Sequence, residues 1–127
     1  MSTFQLYRSP ETAVPAGRLR VSSLGIHEAM LPGMLRYHQQ RELLLMFFHT
    51  PARAGHETDC RDGFILWPHG TLCYYGNPER SWDHSWCVLE GSAANLLREL
   101  HGLPAGRALK ADAEPVFLRY FEAILRE

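Results

Sequence analysis

The apolar positions of this chain follow two regimes: short alternating or continuous runs before Gly91, and helix-spaced runs after it. From Leu19 to Ile26 the spacing has a weak period of two. Leu19, Val21, Ser23 and Gly25 alternate with Arg20, Ser22, Leu24 and Ile26, which predicts a strand. Leu31-Pro32-Gly33-Met34 predicts a turn. Leu43–Phe48 is a continuous apolar run followed by Pro51 and Gly55, the pattern of a strand covered on both faces or of a buried helical turn. Turn signals then recur at Asp62-Gly63, Pro68-His69-Gly70 and Gly76-Asn77-Pro78. Short aromatic and β-favouring pieces between such turns predict an all-β sandwich or barrel. Gly63 and Gly70 are expected to supply turn geometry that a Cβ resists.

After Gly91 the period becomes helical. Ser92 suits an N-cap; Ala93, Leu96, Leu97 and Leu100 follow at i, i+3, i+4 and i+7; Gly102 suits the position past the helix end. Asp112 or Glu114 can start a second helix, with Pro115 tolerated in its first turn. Phe117, Tyr120, Phe121 and Ile124 form its apolar stripe, widened by Leu118 and Leu125. Residues 1–17 carry Pro10, Pro15 and Gly17 without periodicity and read as an extended arm, either mobile or folded over the body to close a pocket. The chain divides into this arm, a β body over 18–91 and a helical segment over 92–127.

With 127 residues there is length for one domain and a real core. A hydrophobic share of 46% against 21% charged residues points to a globular rather than a disordered chain. The formal net charge of −1 argues against binding nucleic acid through this chain, since phosphate contacts need a basic surface. The N-terminal residues lack the apolar core of a signal peptide, and Leu43–Phe48 is too short to span a bilayer. A cytoplasmic location without membrane contact is expected. Cys60, Cys73 and Cys87 are odd in number and lack a C-x-x-C spacing, so free buried thiols are expected.

Candidate chemistry concentrates between Gly63 and Gly91. In Trp82-Asp83-His84-Ser85-Trp86, a strand puts Trp82, His84 and Trp86 on one face and Asp83, Ser85 and Cys87 on the other. Indole faces beside an imidazole suit a sugar or an aromatic metabolite, and equally suit a filled β core. Tyr74 and Tyr75 point to opposite faces if extended, so at most one can line a given cavity. Arg36 precedes the apolar strand and is either a ligand clamp or a solvated loop residue. The seven histidines show no H-x-H spacing, and no metal site or cofactor is expected. Phosphate-binding and nucleophile-elbow motifs are absent from the sequence.

The order of three motifs resembles a known family. Gly63-Phe64-Ile65-Leu66-Trp67-Pro68-His69-Gly70-Thr71, then Tyr74-Tyr75-Gly76, then Trp82-x-His84-x-Trp86 with Glu90-Gly91, is similar to the effector-binding domain of AraC-family transcription regulators. The resemblance covers residues 18–127 in pattern and is sharpest over 63–91. It departs from the family at Cys73, where a His is frequent, at His69, which replaces a second Pro, and over Thr50–Asp62, which lacks the usual G-x-G hairpin. It implies a cupin-like β barrel, a jelly roll, followed by two amphipathic α-helices that mediate dimerisation. By residue, it implies that Arg36, Tyr75, His84 and Trp86 face a small-molecule effector, a carbohydrate by first choice. It further implies a homodimer, for which Phe117, Leu118, Tyr120, Phe121, Ile124 and Leu125 are the candidates, with packing against the chain's own barrel as the competing use of that stripe. DNA would be reached only through a C-terminal part that this chain, ending at Glu127, does not contain. The expectation is a non-enzymatic sensor domain. The alternatives are a small metal-dependent cupin enzyme acting on a sugar or aromatic metabolite, and a structural dimerisation module with a filled core.

Overall fold

The computed structural model describes residues 4–7, 20–91 and 106–107. The described chain is mainly β: β1 (Phe4–Tyr7), β2 (Arg20–Met30), β3 (Gly33–His38), β4 (Leu43–Phe48), β5 (Arg53–Ala54), β6 (Phe64–Pro68), β7 (Leu72–Asn77) and β8 (Trp82–Glu90). The helices expected over 92–127, and the stripe of Phe117, Leu118, Tyr120, Phe121, Ile124 and Leu125, lie outside the described residues. Within the expected arm, Phe4–Tyr7 pairs with β2 as a sheet strand.

Every strand pair is antiparallel. A five-stranded sheet runs β1-β2-β8-β4-β6, and a three-stranded sheet runs β3-β7-β5. Their facing sides share one core, in which Ala54, Cys73 and Tyr75 of the small sheet meet Leu44, Met46, Phe48, Ile65, Trp67, Trp82 and Val88 of the large one. The other side of the large sheet carries a second core: Val21, Leu24, Leu43, Leu45, Phe47, Leu66, Cys87 and Leu89. Alternation along β4 supplies both, so the whole run Leu43–Phe48 is buried, as its lack of polar positions predicts. Burying a side chain of this size stabilises by about 1.5–3 kcal/mol, so β4 anchors both layers.

Strand β2 departs from its expected period. Val21 pairs with Leu89 while Ser23 pairs with Val88, and Gly25 pairs with Trp86 while Glu28 pairs with His84. Each step inserts one extra residue on β2, a β-bulge. The first bulge puts Val21 and Leu24 in the same core, although strict alternation would separate them. The second swaps the faces again, turning Glu28 and Met30 toward the small sheet and His27 away from it. His27 pays for this with φ 50, a left-handed conformation that is uncommon outside glycine.

Turn chemistry agrees with the sequence at Gly70, whose φ is 82. It differs at Asp62-Gly63, where the left-handed residue is Asp62, with φ 61. Gly63 instead donates its N–H to the Cys60 carbonyl, while Asp62 donates to Phe48. Aspartate tolerates that region because its short polar side chain strains the backbone less than a bulky one.

At the end of the large sheet, Glu90 accepts from Arg20 at 2.6 Å and is also paired with Arg41. Burial alone would raise its carboxyl pKa; the two guanidinium groups outweigh that and hold it below the usual value.

Candidate functional site

The site is built on β8. Its alternation turns Trp82, His84 and Trp86 toward the small sheet and Asp83, Ser85 and Cys87 away, as the sequence pattern predicts. Tyr75 comes across from β7. Its ring centroid lies 5.7 Å from Trp82, edge-on, and 6.0 Å from His84. Trp82 and His84 are 4.7 Å apart, and Phe48 closes the group at 6.3 Å from each of Tyr75, Trp82 and His84. Tyr74 points to the opposite side and is exposed.

Trp86 is held in a defined pose. It sits cross-strand from Gly25, and a Cβ built on Gly25 would come within 2.5 Å of its Nε1. The indole therefore lies against bare backbone, a position that only glycine leaves open. Its N–H donates to the Glu28 carboxylate at 3.2 Å. Glu28 also orders His84, whose Nδ1–H donates to the Glu28 backbone carbonyl at 3.1 Å. Burial lowers the His84 pKa, against the opposing pull of Glu28, and favours the neutral ring. A neutral imidazole donating through Nδ1 keeps Nε2 as an acceptor.

Across from this strand, β3 adds residues that the sequence did not single out. Leu35 pairs with Tyr75 and Tyr37 with Cys73, so both share the inward side of the small sheet. Yet Leu35 is 38% and Tyr37 40% exposed. Water thus reaches an inward-facing wall beside the buried aromatic group. The Tyr37 ring stands edge-on to Tyr75 at 6.1 Å. Burial pushes Tyr75 up to about 12 and Cys73 up to about 11, and raises Tyr37 as well. All three stay protonated at neutral pH, so this corner offers hydrogen-bond donors and no thiolate nucleophile.

Arg36 does not join them. It pairs with Tyr74 on the outward side of β3, where its guanidinium stacks 5.9 Å from the Tyr74 ring centroid. The structure therefore brings together Tyr75, His84 and Trp86 and turns Arg36 away. Alternation forces one of Arg36 and Tyr37 inward, and the register with β7 selects Tyr37. Glu28 had no sequence signal, because a bulge decides which way it faces.

A second polar group occupies the reverse side of β8. The His27 backbone N–H donates to Ser85 Oγ at 3.0 Å, and His27 Nδ1 donates to Asp83 Oδ2 at 2.9 Å. Ser85 Oγ lies 2.7 Å from His49 Nε2, and the two imidazoles stack at 4.0 Å. Burial, helped by His27, lowers the His49 pKa to about 4. Neutral His49 accepts the Ser85 hydroxyl proton, while the same oxygen accepts from His27. Unfolded His49 takes up its proton near pH 6.5, so the folded state loses stability as pH falls from there and the loss levels off near 4. His84 shifts in the same direction. Urea unfolding followed between about pH 7 and pH 4 should show a shallower acid loss in His49→Gln than in the parent; equal slopes would contradict the buried neutral imidazole.

At the rim, Arg53, Thr58, Asp59, Arg61, Asn77 and Glu79 line a polar groove of about 220 Å³ that contains no member of the aromatic group. Among the described residues no group of three or more His, Cys, Asp or Glu is placed to hold a metal ion. No described helix is long and apolar enough to cross a membrane.

Comparison with known proteins found no matching family model and no matching curated protein.

Proposed function

We propose that this chain is an effector-binding domain of the AraC-regulator type, taking a small polar metabolite, a sugar by first choice, between its two sheets. The sheets are read as a cupin-like jelly roll, and dimerisation through the Phe117–Leu125 stripe belongs to the same reading. The observation that carries it is the convergence of Trp86, Glu28, His84 and Tyr75 beside an inward wall, Leu35 and Tyr37, that solvent reaches. A sugar needs an apolar face for its C–H groups and fixed donors and acceptors for its hydroxyls. Trp86 offers the face. Glu28 and the His84 Nε2 offer acceptors, and the Tyr37 and Tyr75 hydroxyls both donate and accept. In this reading Arg36 has no part in the site, because it faces outward.

Thermal-shift screening with neutral monosaccharides, followed by calorimetry, tests the reading. Trp86→Ala should weaken the selected sugar by at least about tenfold, as loss of a central aromatic anchor does. Arg36→Ala should leave the affinity unchanged. A sugar that binds Trp86→Ala as well as the parent would refute the site, and a panel without a binder would refute the ligand class.

A further inference from the structure

We propose that the hydrogen-bonded group on the reverse side of β8, His27 with Asp83 and Ser85, is a positioning device that holds Trp86 and Glu28 in their inward pose through the second bulge of β2. The two sides meet in one short segment. Gly25 and Glu28 frame the bulge; the first supports the Trp86 indole and the second accepts its N–H. His27 lies between them and faces the other way, in a left-handed conformation with φ 50.

A side chain with a Cβ adopts that conformation only at a cost. Two bonds hold it. Ser85 Oγ receives the His27 backbone N–H, and Asp83 Oδ2 receives its ring N–H. Asp83 and Ser85 are themselves buried and sit on β8 directly behind His84 and Trp86. His49 fixes the Ser85 hydroxyl, and Thr50 Oγ1 receives the Asp83 backbone N–H at 2.8 Å. If the bulge relaxed to regular pairing, every residue beyond it would change face. Glu28 would then leave the inward side, and the Trp86 indole would lose its acceptor.

The inference leans on the proposed function only where it treats Trp86 and Glu28 as ligand-facing; its readout needs no ligand. Trp86 Nε1 donates to Glu28, whereas the buried Trp67 and Trp82 Nε1 atoms have no hydrogen-bond partner among the described residues. The three indole N–H signals of a ¹H–¹⁵N spectrum therefore report separately. Ser85→Ala removes the acceptor for the His27 N–H. It should speed solvent exchange of the Trp86 indole N–H by about tenfold or more, the loss expected for a hydrogen bond to a charged group. Trp67 and Trp82 should stay as in the parent. Should Ser85→Ala fold poorly, His27→Ala serves instead, since alanine keeps the Cβ that disfavours the left-handed backbone while losing the Asp83 anchor. The same selective change is expected there. If a folded variant left the Trp86 signal untouched, or all three indoles changed together, the group would be ordinary structural support and the proposal would fall.

Discussion

Gly76→Ala is expected to destabilise the domain by about 4 kcal/mol or more, the range reserved for a specific steric or backbone failure. Two independent faults coincide there. The residue has φ 142, a conformation that side chains with a Cβ rarely adopt, and its added Cβ would lie 2.2 Å from the Gly33 carbonyl oxygen and 3.0 Å from the Met34 Cα. Both obstacles are backbone atoms of β3, so no rotamer change relieves them. Gly33 pairs with Asn77 and Met34 with Gly76, and separating them would open the β3–β7 ladder that carries Tyr37 and Tyr75. Gly70→Ala is the matched control. Its φ is 82 and a Cβ there meets nothing within 4 Å, so it should cost only the backbone penalty, about 1 kcal/mol. Chemical denaturation of the two variants decides the point. Equal losses would mean that the close approach of Gly76 to Gly33 is not a constraint.

Gly25→Ala is expected to weaken the proposed sugar binding while leaving a folded protein. The nearest atoms to its Cβ belong to a side chain, Trp86 Nε1 at 2.5 Å and Cε2 at 2.8 Å. An indole can swing away where a carbonyl cannot, so the stability cost should stay near 1–3 kcal/mol, typical of overpacking. Swinging away breaks the bond from Nε1 to Glu28 and removes the flat surface from the inward wall. Affinity should then drop by at least about tenfold, as in Trp86→Ala. Calorimetry and a thermal melt on the same sample separate the two effects. Retained binding would show that the indole pose against Gly25 is not what the ligand uses.

Much of the β architecture was legible because burial on both faces leaves a simple trace. Leu43–Phe48 has no polar position, and the structure buries all of it. Trp82–Cys87 alternates, and the structure honours the alternation. What escaped the sequence depends on a change of face. Each of the two bulges on β2 shifts the side-chain period, so the faces of His27 and Glu28 are not fixed until the register with β8 is known. Arg36 and Tyr37 are neighbours whose roles exchange with a one-residue slip, and only the pairing with β7 fixes them. The reverse group of His27, His49, Asp83 and Ser85 joins three strands or strand ends far apart in sequence, and no local spacing announces it. The left-handed turn residue at Asp62 rather than Gly63 is a smaller case, since aspartate and glycine both permit that geometry.

The most direct test of a ligand site between the sheets is the indole region of a ¹H–¹⁵N spectrum during titration with the sugar selected by calorimetry. The Trp86 indole N–H should shift saturably, with a midpoint matching the calorimetric Kd, while Trp67, on β6 and outside the aromatic group, stays in place. A sugar that binds without moving the Trp86 signal would contradict a site built on that indole.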